Sequence, residues 1–298
     1  MLNTVDNLSD SGRTEPQITF VSYLLPKLQD ILFLAIFLAV IGLGPRLLNI
    51  DGDLGRHLTI GQYILEDHII PTRDIFSHTL AGAPLTPHEW LAEVIYALAY
   101  RLGALNGVVL LCALLISLTF TLSFRQSYLR SNLVLLALGW TILAAAASSL
   151  HWLARPHLFT LLMIPLWTGE LERIRHGKTS RWWLLPSLML LWANLHGAFI
   201  AGFVIWGMYL AGEAWDRWLG SAPGTEKEGS SPESQAASSR VLLALLLAGA
   251  SSFLATFINP SGWHLWATSL GYIRNRYLVS HTAEYLPPNF HDPSTWPF

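Results

Sequence analysis

The sequence predicts an all-α polytopic membrane protein of about seven transmembrane helices, with a long first external loop that carries amphipathic helices. Three observations predict it. Of the 298 residues 52% are hydrophobic and only 13% charged, against roughly a quarter charged in soluble domains, and the mean hydropathy is +0.40. Apolar runs of bilayer-spanning length recur along the chain. Between them, the polar residues fall into two chemically different sets.

Residues 1–28 are polar and acidic and read as a cytoplasmic tail; the first apolar run begins only near Ile31, so they do not form a cleavable signal. The membrane domain covers 29–258. Its first span is Leu28–Leu48, followed by the external loop 49–106 and then by Gly107–Phe124 and Asn132–Leu150. Leu158–Glu172 is a shorter span that ends in Glu170 and Glu172. As one helix, Trp182–Trp215 would be about 50 Å long at about 1.5 Å per residue, too long for a core of about 30 Å. It therefore divides at Asn194-Leu195-His196-Gly197, with Gly197 as the turn residue. Residues 220–240, rich in Ser, Gly and Glu, read as a disordered cytoplasmic loop. Val241–Ile258 is the last span, and 259–298 an external C-terminal segment.

Within the first loop, Leu91, Val94, Ile95, Leu98 and Leu102 recur at helical spacing and predict an amphipathic helix on the membrane surface. A second short helix is expected over His57–Asp67, with Asp53 as its N-cap. Pro71, Gly82, Pro84 and Pro87 mark the turns between the two.

Seven crossings from a cytoplasmic N-terminus place the loops 125–131, 173–181 and 216–240 inside, with 11 of the 18 Lys and Arg on that side, as the positive-inside rule requires. Of the 11 histidines only His176 lies inside. Trp152, Trp182, Trp183, Trp215, Trp218, Trp263 and Trp266 fall near span ends, where interfacial tryptophans collect. Sidedness depends on parity: were 182–215 one tilted helix, everything after it would change sides.

Composition also excludes classes. A net charge of −2 offers no basic patch for nucleic acid, and the single Cys112 cannot form an intramolecular disulfide.

The outer face collects the candidate chemistry: Asp51, Asp53, His57, His88, Glu89, Arg155, His157, Asn194, His196 and Asn259. Asp53 can take a proton from an attacking hydroxyl and His57 can orient it or help hold a metal; alternatively Asp53 only caps a helix. His88 and Glu89 have metal-ligand chemistry, with Glu93 one turn on, yet they lack a His-x-x-x-His zinc spacing and fit a solvated loop better. Arg155, between apolar helices, needs an anionic partner: Asp53, a lipid headgroup or a substrate phosphate. His157 follows it. Asn194 and His196 either satisfy freed backbone groups or line a cavity for sugar hydroxyls. Asn259-Pro260 is most simply a helix stop with Trp263 as anchor.

The run Gly52-Asp53, His57, Gly61, Ile70-Pro71, Asp74, Phe76-Ser77, Thr79, Gly82 and His88-Glu89-Trp90-Leu91 resembles the first external loop of bacterial integral-membrane glycosyltransferases of the GT-C superfamily, the relatives of protein mannosyltransferases and lipopolysaccharide sugar transferases. Arg155-Pro156-His157-Leu158-Phe159, Asn194-Leu195-His196-Gly197 and Asn259-Pro260 with Gly262 resemble their later motifs, so the resemblance runs from about residue 29 to the C-terminus. It implies an inverting enzyme of the bacterial plasma membrane that uses a polyprenyl-phosphate-linked sugar, with Asp53 as catalytic base and no certain cofactor beyond an optional divalent cation. Leu54-Gly55-Arg56 departs from the aromatic residues usual between the Asp and His. The family's greater length implies a shortened or split member, with a partner subunit supplying missing helices. Two alternatives stand beside the enzyme: a non-catalytic subunit or lipid-binding scaffold, and a transporter, against which the one-sided polar groups and missing internal repeat count.

Overall fold

The computed structural model describes residues 25–49, 52–220 and 232–281, together with Leu286, Asn289 and His291. The predicted tail therefore lies outside the described residues up to position 24, as do 221–231 of the predicted cytoplasmic loop and most of the C-terminal segment beyond 281. Among the described residues the regular structure is helical: α1 (Leu28–Gly42), α2 (Gly44–Asn49), α3 (Asp53–Asp67), α4 (Trp90–Ser131), α5 (Val134–Ser148), α6 (His157–Arg175), α7 (Leu184–Leu195), α8 (Ile200–Gly220), α9 (Pro232–Ala255), α10 (His264–Arg274) and α11 (Arg276–His281). An isolated antiparallel bridge joins Arg73 to Pro84.

The chain is all-α, and its apolar helices fit an integral membrane protein. Among the described residues four segments, rather than seven, are both long and apolar enough to cross a bilayer: Trp90–Ser131, Val134–His151, Gly197–Trp218 and Ser238–Ala255. The other predicted spans fall short for identifiable reasons. α1 has 15 residues, about 22 Å at 1.5 Å each. α7 has 12. α6 carries Glu170, Glu172, Arg173 and Arg175 in its last turns.

α4 is two helices meeting at a bend. Gly103 (φ −150°) and Ala104 (φ 49°, ψ −142°) leave helical geometry there. The surface segment folds back so tightly that a Cβ on Gly107 would lie 2.0 Å from the Ala99 carbonyl oxygen; only glycine admits that approach. On the surface segment Ala92, Glu93, Tyr96 and Ala97 are buried while Leu98 and Leu102 stay exposed. The small and polar face packs on protein, and part of the apolar stripe predicted from spacing is left for lipid. Beyond the bend, Val108, Cys112, Ala113, Ile116 and Phe120 form the centre of the core with Val40, Leu158, Trp167 and Trp192. α5, in contrast, buries only Ala137 and Thr141 and exposes Leu135, Leu136, Trp140, Ile142 and Leu143.

The division of 182–215 holds. α7 ends at Leu195, His196 is extended (φ −162°, ψ 142°), and a 3-10 turn over Gly197–Phe199 leads into α8. The break is made by His196, and Gly197 serves a close approach instead: a Cβ there would stand 3.2 Å from His88 Cδ2. The chain then returns, because the Tyr209 hydroxyl on α8 donates to Glu172 Oε2 at the far end of α6 (2.6 Å). Arg130 reaches the same carboxylate at 3.3 Å. Ser238 on α9 donates to Glu213 on α8 (2.8 Å). The basic loops thus share one end of the bundle.

Two expectations need correcting, and the C-terminal segment gains detail. Residues 232–240, assigned to the disordered loop, are helical, with Pro232 at the first position of α9, where its fixed φ suits a helix start. The C-terminal segment holds α10, whose Thr268 bonds Thr86 of the first loop (2.8 Å). Trp152 is buried and Trp266 donates its indole N–H to Thr256 (2.8 Å), so both turn inward, whereas Trp183, Trp215, Trp218 and Trp263 are exposed as a membrane belt requires.

Candidate functional site

The site is assembled by α3 lying across the start of α4. On α3 the face repeating every fourth residue carries Asp53, His57 and Gly61. Asp53 is the first helical residue and Gly52 occupies the N-cap position, so Asp53 is not the N-cap the sequence suggested. Gly61 lets the two helices touch, since a Cβ there would lie 2.0 Å from the Glu93 carbonyl oxygen. The first-loop turns behave as predicted: Asp74 Oδ1 accepts from the Phe76 and Ser77 amides (3.0 and 2.7 Å), and Gly82 has φ 79°.

The Arg155 turn is tied down from two sides. Tyr96 donates its hydroxyl to the Arg155 carbonyl (2.9 Å), and the Ala154 amide donates to the Leu47 carbonyl (3.2 Å). Arg155 Nη2 then stands 3.0 Å from Asp53 Oδ2. Of the three partners considered for this arginine, the structure supplies the aspartate. The pair is half exposed on the Asp53 side (49%). It borders a cavity of about 330 Å³ lined by Asp53, Arg56, His57, Glu89, His151, Leu153, Arg155, Pro156, His157 and His196.

Hydrogen-bond logic fixes most imidazole roles. Trp192 donates to Thr160 Oγ1 (2.8 Å), which leaves the Thr160 hydroxyl proton to donate to His196 Nδ1 (2.9 Å); the Ala198 amide points at the same nitrogen. With Nδ1 an acceptor, neutral His196 carries its proton on Nε2, facing Glu89 Oε1 at 3.5 Å. Burial lowers the His196 pKa to about 4, against the pull of Glu89 and helped by His157, His88 and His57. Burial pushes the Glu89 carboxyl up, but His88, His196, His57 and Arg56 together hold it below its usual value. His57 presents Nδ1 to Glu93 Oε1 at 3.3 Å and Nε2 to Arg56 at 3.4 Å; because arginine only donates, the proton sits on Nδ1. His88 donates Nδ1–H to the Thr86 carbonyl (2.9 Å). His157 bonds the His151 carbonyl through Nε2.

The residues singled out in the sequence do not all meet. Asp53, His57, Glu89, Arg155, His157 and His196 line one cavity. His88 and Glu89 are not solvated, with side chains 20% and 11% exposed. Asn194 lies behind the cavity rather than on its wall. Its oxygen accepts from Trp90 (2.7 Å) and Asn259 (3.1 Å), and its amide donates to the Leu190 and Ile258 carbonyls. All four bonding positions are filled, so Asn194 and Asn259 pin the first loop to α7 and α9. Replacing Asn194 with alanine orphans the two donors, at about 1–3 kcal/mol each. A clear fall in the thermal unfolding midpoint of the detergent-solubilised chain is expected, and an unchanged midpoint would exclude this pinning role.

Several members escaped the sequence reading. Glu93, 3% exposed, was noted only as lying one turn after Glu89, and nothing in the sequence marked it as buried. Arg56, His151, Thr160 and Trp192 carried no signal, since their roles come from partners distant in sequence.

His57, Glu89 and Glu93 offer donor atoms all within 4.8 Å of one another, close enough to hold a metal ion. No family model, curated protein or solved structure matches this chain.

Proposed function

We propose that this chain is a membrane glycosyltransferase of GT-C type, moving a sugar from a polyprenyl-phosphate donor to an acceptor at the extracytoplasmic face. The observation that carries the reading is the Asp53–Arg155 pair at 3.0 Å, formed by loops a hundred residues apart and opening onto a cavity at one end of an apolar bundle. A carboxylate beside a guanidinium supplies both charges that such a transfer needs. Arg155, with five N–H donors, can turn to the donor phosphate, and this frees Asp53 for the acceptor hydroxyl. Asp53 takes the hydroxyl proton as the acceptor oxygen bonds to the anomeric carbon. The bond from that carbon to the phosphate oxygen breaks on the opposite face, giving inversion through an oxocarbenium-like state. Arg155, with His157 at the cavity wall, stabilises the charge left on the polyprenyl phosphate.

The seven-crossing arrangement belongs to this proposal: α1, α6 and α7 cross together with the four longer segments, the N-terminus is cytoplasmic, and the membrane is a bacterial plasma membrane. Burial of Cys112 lets single introduced cysteines report alone. His68→Cys should react with an impermeant maleimide from outside intact cells, and Lys178→Cys only after permeabilisation; labelling of both from one side would overturn the topology. Activity is tested by incubating the purified chain with radiolabelled polyprenyl-phosphate sugar and scoring transfer to an acceptor. Binding of the lipid without transfer would favour the scaffold reading.

A further inference from the structure

We propose that His57, Glu89 and Glu93, completed by water, form a binding site for a single divalent first-row cation of the zinc or manganese type. This does not rest on the glycosyltransferase reading. Their contacts have the wrong lengths for tight ion pairs and the right ones for a coordination shell. Charge-assisted N–H···O bonds are about 2.7–2.9 Å, yet His57 Nδ1 stands 3.3 Å from Glu93 Oε1 and 3.9 Å from Glu89 Oε2, and His88 Nε2 stands 3.7 Å from Glu89 Oε1. A tetrahedral shell with metal–ligand bonds of about 2.1 Å separates its ligand atoms by about 3.4 Å.

A second observation points the same way. The Thr86 carbonyl takes the His88 Nδ1 proton (2.9 Å), so Nε2 turns a lone pair toward a carboxylate, a juxtaposition that only a cation or a proton relieves. Thr86 is itself held by Thr268 at 2.8 Å, which fixes the His88 ring beside Glu89. Glu89 and Glu93 also border a small cavity of about 20 Å³ with Arg56, Thr86 and His88, room for the completing water, which needs roughly 10–15 Å³, while His57 and Glu89 face the larger cavity. Mixed imidazole and carboxylate donors suit zinc and manganese better than magnesium or calcium, which prefer oxygen alone.

Charge supports the assignment. Two buried carboxylates face one guanidinium, Arg56, at 3.4 and 3.6 Å, and its side chain is 47% exposed. Arg56 is therefore a displaceable counter-ion. An arriving cation takes the lone pair of His57 Nδ1, moves that ring's proton to Nε2 and turns the ring's former donor, Arg56, out to solvent.

The test uses the full chain in detergent, stripped with chelator, then titrated with ZnCl2 or MnCl2 by calorimetry and thermal unfolding. One ion per chain with a raised unfolding midpoint is expected. Glu93→Gln and Glu89→Gln should each weaken binding by at least tenfold, and Arg56→Ala should tighten it by removing the competitor. The last sign separates an ion site from a purely structural ion-pair cluster, in which Arg56→Ala could only do harm. Should either glutamine variant fail to fold, Co2+ loaded into the wild type should give the visible absorption of a four-coordinate mixed nitrogen–oxygen site. No saturable binding, or binding that survives both glutamine substitutions, would overturn the proposal and leave Arg56 and the histidines as the counter-charge.

Discussion

Asp53→Asn should reduce sugar transfer by about 10²–10⁴-fold, the range removed with a general base, while the chain still inserts and purifies normally. The two consequences separate because the physics differs. The Asp53–Arg155 contact is half exposed on the aspartate side, and such pairs contribute about 0–1 kcal/mol to stability. The amide keeps the shape but loses the negative charge and the capacity to take a proton. The readout is initial rate of transfer from labelled polyprenyl-phosphate sugar, with the unfolding midpoint as control. A variant with wild-type rate would remove Asp53 from the mechanism and shift attention to His57, whose Nε2 lone pair is held in place by Glu93 at Nδ1 (3.3 Å).

Gly61→Ala is the corresponding test of the scaffold. Its Cβ would sit 2.0 Å from the Glu93 carbonyl oxygen, 2.5 Å from the Glu93 carbonyl carbon and 2.8 Å from Ala97 Cβ. Backbone cannot swing aside as a flexible side chain does, so α3 must lift off α4. Overpacking of this kind costs about 1–3 kcal/mol, occasionally more. The damage also travels to the site, because His57 lies one turn from Gly61 and Asp53 two turns away on the same face. Loss of both stability and transfer is expected. Gly55, on the same helix, meets nothing within 4 Å; Gly55→Ala should be neutral or gain about 0.5–1 kcal/mol from better helix propensity. If the two alanine variants unfold alike, close packing of α3 on α4 does not govern the site.

How far each element was legible follows from how local its cause is. The helices, the break near residue 196 and the Pro- and Gly-marked turns of the first loop are written in runs of hydrophobicity and in single residues with special backbone behaviour. So is the separation of the surface helix from the span that begins at Gly107, but the tightness of the bend at Gly103–Ala104 is not, since Gly107 reads as an ordinary helix residue until the Ala99 carbonyl is placed above it. The extent of each span was less legible for a related reason: hydropathy sums over a window and does not see where a helix stops, so Leu28–Leu48 reads as one span although α1 ends at Gly42.

In the candidate site, the sequence could name residues with the right chemistry but not their partners. It could not tell that Asn194 would be consumed by four hydrogen bonds while Glu93 would be buried against His57. Residue types and their order along the chain are what the sequence by itself determined: an apolar helical protein with basic groups at one end and acid, imidazole and guanidinium groups at the other. Which of those groups touch was decided by tertiary structure alone, because a contact such as Asp53 to Arg155 depends on how α3, α4 and the turn before α6 pack. That packing is set by non-local steric fits, among them a missing Cβ at position 61, which leave no periodic trace in the chain.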